Sequence, residues 1–355
     1  MVRSHGSMTA RYLRNSWYQI GWSADVPTGR LLARTILDVP LVVWRGNTGE
    51  LSACMDRCPH RFAPLSAGAV SDNTLVCGYH GLAFDRAGAC ARNPHGATPS
   101  ALRVETFPTL ERHGAIWIWM GQGDRADPAL LPDLSFIDDT PDDTRIIATL
   151  PTAANYQLLS DNILDLSHLD YVHPTTLGGM MTGATSRNQV NANEIVMEWI
   201  AKDAHTPSGL KPMVPEGRCD VYQKLTWRPP GLMVLSTTVV AAGTSPEPIN
   251  ERLTLHNVTP ESDMATHYFV CSTRRFARGS VEITASIRAA LMKAFVEEDK
   301  PMLEKQQERM GTADLWSLKP TLLKTDSGAV WARRKLDALI KAEFEDRNSA
   351  ELAGS

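Results

Sequence analysis

Two short arms constrain this chain more than any other feature. The first reads Cys58-Pro59-His60; sixteen residues later the second reads Cys77-Gly78-Tyr79-His80. Each arm offers one thiol and one imidazole. Structural zinc sites usually draw two Cys from one knuckle and two His from the other, and these arms do not follow that layout. Two thiolates on one iron and two imidazoles on its partner, in a [2Fe–2S] centre, use just this set, with one loop gripping from each side. Pro59 stiffens the first arm. Gly78 and Gly81 allow backbone N–H groups of the second to approach a sulfur.

The pattern Cys-Pro-His-Arg followed by Cys-x-Tyr-His-Gly resembles the Rieske domain of non-haem iron oxygenases. The resemblance implies that Cys58, His60, Cys77 and His80 hold the cluster.

Around the arms the chain reads as short strands. Residues 41–44 (Leu-Val-Val-Trp) and 51–54 (Leu-Ser-Ala-Cys) flank Gly46-Asn47-Thr48-Gly49, a hairpin signal. Residues 115–120 (Ala-Ile-Trp-Ile-Trp-Met) close the series. A chain of 355 residues has room for two cores. Residues 1–7 read as a cloning remnant ahead of Met8. Residues 8–122 form an all-β cluster domain, 123–134 a polar, Pro-containing linker, 135–346 a second domain and 347–355 a tail. The fold class is α+β. In the second domain, β-like runs at 145–150, 194–200, 220–227, 232–240, 252–258 and 266–272 predict one antiparallel sheet flanked by helices, a helix-grip-like layout. The helices are expected at 154–171, 281–310 and 329–345.

The 154–171 segment carries Asn162, Asp165 and His168 at i, i+3 and i+6, a polar face on an apolar segment. His173 follows five residues after His168, and Pro174 biases it out of the helix, so a break there can swing it back. Two imidazoles and one carboxylate with open positions form the facial triad of Fe(II) oxygenases. The third ligand comes from the later helix, where Ile287, Leu291, Phe295 and Met302 make an apolar stripe interrupted by Glu298 and Asp299. Periodicity does not choose between those two acids.

The whole chain after Met8 is similar to the oxygenase components of the vanillate O-demethylase, toluenesulfonate methyl-monooxygenase and dicamba demethylase group. The residues that carry this are 15–18 (Asn-Ser-Trp-Tyr), 59–65 (Pro-His-Arg-Phe-Ala-Pro-Leu), 161–168 (Asp-Asn-Ile-Leu-Asp-Leu-Ser-His), 171–178 (Tyr-Val-His-Pro-Thr-Thr-Leu-Gly) and 258–262 (Val-Thr-Pro-Glu-Ser). The resemblance implies a mononuclear Fe(II) on His168, His173 and Asp299, with Asp165 as the acid bridging cluster and iron across neighbouring subunits, bonding His60 or His80 on one side and His168 on the other. Asn162 belongs to the catalytic set. His256 is a substrate contact by the same likeness, and Arg218 and Asn257 are weaker candidates for holding an acid group.

The implied reaction is O2- and reductant-dependent hydroxylation of a methoxy or methyl carbon on an aromatic acid, with formaldehyde lost from a methyl ether. Ring cis-dihydroxylation is the alternative, favoured less by the short chain. A purely electron-transferring protein would leave the second domain unexplained. No Gly-x-Gly-x-x-Gly fingerprint follows a strand, so NAD(P)H is expected to act only through a separate flavin and iron–sulfur reductase, with or without a ferredoxin. A head-to-tail homotrimer would close the electron path. The net charge of −4 gives no reason to expect nucleic acid, and no apolar run reaches membrane-spanning length. The cytoplasm is the expected compartment, with Cys54 and Cys271 as reduced core residues and no role for Cys90 or Cys219.

Overall fold

The computed structural model describes residues 11–214 and 217–353. The stretch read as a cloning remnant lies outside the described residues. Two compact units result: one runs to Asp133 and takes in the residues from Ile340 onward, the other is Leu134–Leu339. Among the described residues no helix is long and apolar enough to cross a membrane.

The first unit is built of three small antiparallel sheets. Val39–Arg45 pairs with Leu51–Met55 through the predicted hairpin, Trp44 opposite Ser52. Ala115–Trp119 is buried at every position and lies between Trp17–Trp22 and Thr109–Arg112. Val42, Trp44, Leu65, Leu75 and Phe84 form a core in which Cys58 and Cys77 are themselves buried members. The Glu343 carboxylate, on the last helix, accepts the backbone N–H groups of Arg14 and Asn15.

The second unit is one seven-stranded antiparallel sheet. Its order is Arg145–Thr152, Ala265–Arg274, Glu251–Ser262, Leu232–Ala241, Arg218–Arg228, Ile195–His205 and Thr185–Val190. The six expected runs are all strands. The seventh, Thr185–Val190, is an edge strand exposed at every residue. Its Thr-Ser-Arg-Asn-Gln-Val sequence carries no apolar alternation, which is why periodicity does not reveal it.

The helix expected over 154–171 is broken. Tyr156–Leu164 is helical, Asp165 turns extended (φ −126°, ψ 94°), Leu166–His168 is a 3-10 turn, and Leu169–Val172 is a further helical turn. The cause is local: the Asp165 side chain accepts the Ser167 N–H and caps a new start. The segment 281–310 is helical throughout, but its middle, Lys293–Asp299, is a π-turn. The last helix, Ser327–Ala353, extends beyond the expected 329–345. Arg333 on it clamps Asp161 with nitrogen–oxygen distances of 2.6–3.1 Å and also donates to Gln157, fixing the helix Tyr156–Leu164 from behind.

Candidate functional site

The two cluster arms are built alike. The backbone N–H of Cys58 donates to Ala63 and that of Cys77 to Leu82, each at 2.8 Å and each five residues ahead. The carbonyl of each Cys accepts from the residue four ahead, Phe62 or Gly81. Phe62 and Gly81 then share the left-handed backbone, at φ 60° and 70°. Both thiols are buried, and the rings of His60 and His80 lie 4.7 Å apart, edge to face. Burial pushes the Cys58 thiol up and Cys77 adds to this, while the His60 and Arg61 backbone groups pull the other way. Desolvation, His60, Arg61 and His95 all hold His80 below its ordinary value, favouring a neutral ring. Gly78 serves close packing: a Cβ there would sit 2.6 Å from the Ala67 carbonyl. Two thiols at a core edge and two imidazoles at the surface fit the donor set of a Rieske cluster.

In the second unit, one nitrogen each from His168 and His173 and one carboxylate oxygen of Asp299 lie within 4.8 Å of one another. Nδ1 of His168 meets the Asp165 main-chain carbonyl at 2.6 Å. A carbonyl can only accept, so Nδ1 carries the proton and the Nε2 lone pair is left for a metal. The bond from Asp165 to His168 is thus made by its main chain; its half-buried carboxylate accepts the Ser167 N–H at 2.9 Å. Nδ1 of His173 meets the Glu298 carboxylate at 2.6 Å, and its Nε2 faces Asp299 Oδ1 at 3.1 Å. Burial alone would lower the His173 pKa, but the hydrogen bonds and charges of Asp299 and Glu298 outweigh it and raise it. Thr176 also donates to Glu298, and Asn162 Nδ2 donates to Asp299 Oδ1 at 3.3 Å. With both rings neutral, two Nε2 lone pairs and a carboxylate oxygen converge on one space, and two His with one carboxylate are the ligand set of a non-haem Fe(II) site.

The π-turn decides which acid faces inward. It inserts one extra residue into the helical period, so the buried stripe runs Ile287, Leu291, Phe295 and then Asp299 and Leu303. Met302, expected in that stripe, is 55% exposed. Glu298, one position back, reaches the far side of His173. That role, and the roles of Thr176 and Arg252 below, are not visible in the sequence pattern.

A pocket opens over this triplet, lined by apolar Ile163, Leu169, Leu177, Met180, Leu291 and Phe295. Its polar wall comes from the sheet: Gln223, Arg252, Thr254 and His256. His256 is 2% exposed; Nδ1 pairs with the Tyr268 hydroxyl at 2.6 Å and Nε2 has no partner. Burial, with Arg252 adding, drives its pKa down to about 3, so the ring is neutral. Arg218 lies outside this lining and pairs with Asp203. Asn257 is buried and is also not among the lining residues.

Residues 16–108 match the Rieske [2Fe-2S] domain, and residues 152–342 match the vanillate O-demethylase oxygenase C-terminal domain. The chain is 33% identical to the dicamba O-demethylase oxygenase component of Stenotrophomonas maltophilia, covering 94% of this chain and 99% of that one. It is 34% identical to the chloroacetanilide N-alkylformylase oxygenase component of Rhizorhabdus wittichii, over 97% and 100%. The crystal structure of dicamba monooxygenase bound to 3,6-dichlorosalicylic acid superposes with a TM-score of 0.88 at 32% identity, over 94% and 98%. With a cluster domain, a second domain of this type and full-length likeness on both counts, the chain belongs to the Rieske non-haem iron oxygenases, as the oxygenase component of a reductase-dependent system.

Proposed function

We propose that this chain hydroxylates a methoxy or methyl carbon of a small aromatic substrate, releasing formaldehyde where that carbon is a methyl ether. The observation that carries this reading is the apolar pocket placed directly over His168, His173 and Asp299. Cys58, Cys77, His60 and His80 hold the cluster, and the two His with Asp299 hold the mononuclear iron. When bound, the cluster supplies single electrons and the ferrous ion the site of O2 reduction. The chain's own residues do the rest. Glu298 and the Asp165 carbonyl keep each Nδ1 protonated and each Nε2 turned inward. Asn162 steadies Asp299. Leu177, Met180 and Phe295 keep water away from the bound ring.

The Asp165 carboxylate is the bridging acid between subunits, in a head-to-tail homotrimer working in the cytoplasm with a separate reductase. The test is a screen of aromatic methyl ethers with a surrogate reductase, measuring formaldehyde against O2 consumed. Formaldehyde in proportion to O2 supports the reading; a cis-diol without formaldehyde replaces it with ring dihydroxylation.

A further inference from the structure

The strand Glu251–Ser262 presents Arg252, Thr254 and His256 to the pocket, every second residue on one face. Arg252 is 8% exposed. Its Nε has no hydrogen-bond partner, and burial is the one influence on its charge, with no carboxylate among the described residues acting on it. In the sheet register it stands in one row, Gln223 opposite Thr237, Thr237 opposite Arg252, and Arg252 opposite Arg274. Arg274 is buried too, and its Nη2 is held only by neutral oxygens, those of Ala277, Ser280 and Thr284. Like charges directly opposed on neighbouring strands weaken a sheet. A buried cation without a counter-ion is costlier still. Arg274 stands outside the pocket lining and has the Asp143 carboxylate acting on it, but Arg252 is in the lining with no such charge, so an anion is missing there.

We infer that Arg252 binds the acid group of the substrate, a carboxylate or a sulfonate, and so selects aromatic acids against neutral rings of the same shape. The inference rests on the proposed function and locates its substrate's charged end at the sheet wall. The guanidinium offers a planar fork of donors that matches either oxyanion. Gln223 and the unpartnered His256 Nε2 are further polar groups in the same lining. Burial lowers the Arg252 pKa to about 10, which leaves it charged at neutral pH. Arg218 and Asn257, the residues the sequence offers for an acid, are not in the lining.

The experiment uses the full chain with cluster and iron in place. Calorimetry measures binding of the three methoxybenzoates and the three methoxybenzenesulfonates, each against its uncharged amide. At least one acid should bind about 10- to 100-fold more tightly than its amide, the range expected for hydrogen bonds to a charged group. Arg252→Gln should remove that preference, and Arg252→Lys should restore part of it. Equal binding of acid and amide, binding of amides alone, or an Arg252→Gln variant that keeps the preference would overturn the inference. So would the absence of binding by every acid.

A ligand-free measurement stands beside it. Arg252→Met removes an uncompensated buried charge and should melt no lower than wild type, with an unchanged cluster spectrum. A fall of several degrees would assign Arg252 to the framework instead. Formaldehyde release separates the two readings. Release from a neutral ether without acid selection sinks the Arg252 assignment and leaves the proposed function standing. Arg252-dependent acid binding with no oxygenated product does the reverse.

Discussion

Glu298 and Asp299 are adjacent in the chain and meet opposite edges of one imidazole: Glu298 Oε2 lies 2.6 Å from His173 Nδ1, and Asp299 Oδ1 lies 3.1 Å from its Nε2. In an ordinary helix neighbouring side chains diverge by about 100°. The π-turn over Lys293–Asp299 is what lets both acids address the same ring. Glu298→Gln should therefore keep the fold but loosen His173, with iron affinity falling about 10- to 100-fold. Asp299→Asn should lose the ion outright. Iron content after dialysis, set against an unchanged cluster absorbance, checks both.

The two sites differed in how far they could be read from sequence, and for a physical reason. The cluster arms are local motifs: each ligand lies within a few residues of its partner, so spacing alone predicts the set. His168 and His173 are also local, and Pro174 marks the break that brings them together. Asp299 is more than a hundred positions away and is placed by a π-turn, which has no periodic signature of its own. Periodicity alone therefore leaves Glu298 and Asp299 degenerate; the family likeness points to Asp299, and the π-turn supplies the physical reason. Asp165 breaks the helix because its side chain competes for a backbone N–H. A pattern that counts only apolar spacing treats that residue as one more helical position. Arg252 was hidden for the opposite reason. It sits in a good strand, where alternation predicts burial but not the absence of a counter-ion.

Asp165 gives a second prediction. Its main-chain carbonyl already serves His168, so replacing the side chain leaves that bond intact. Asp165→Asn also keeps an oxygen to cap Ser167. On the proposed bridging role, both metals should remain bound while coupled turnover falls close to nothing. Iron and sulfide analysis with a coupled oxygen-uptake assay reads the two effects apart. Full activity in the variant, or a fully active monomer by sedimentation, would remove the bridge.

The matched loops of the cluster domain give a third. Phe62 and Gly81 hold equivalent left-handed positions, four residues after Cys58 and Cys77. A side chain at such a position costs roughly 1–2 kcal/mol, and Phe62 is largely exposed with Arg57 over its ring at 5.4 Å. Phe62→Gly should change stability by less than about 1 kcal/mol, since relief of backbone strain offsets the unfolded-state entropy of glycine. Gly81→Ala should lose roughly 1–2 kcal/mol, with a Cβ only 3.3 Å from Pro94 adding to the strain. Melting curves and the visible spectrum of the cluster distinguish the pair; equal losses would mean the loops are not mechanically equivalent.

Asp170 gives the last, and it carries a sign in pH. One carboxylate oxygen accepts the N–H groups of Gly179, Met180 and Met181, and the other accepts the N–H and hydroxyl of Thr182. It thereby ties down the loop that holds Met180 in the pocket wall. Desolvation would raise its pKa, but the Thr182 hydroxyl and the N–H groups of Met181, Thr182 and Met180 outweigh it and hold the group at about 2, below the ordinary 3.8. A depressed carboxylate stabilises the folded loop fully above its unfolded value and loses that contribution as pH falls toward the folded one. The loop should therefore open between about pH 4 and pH 2, seen as faster proteolysis by pepsin near residues 179–182. In Asp170→Ala the loop should be open at every pH, with that step missing from the cleavage profile. At neutral pH the same variant should raise KM about tenfold and change kcat less, because the pocket wall moves while the residues around the iron stay in place.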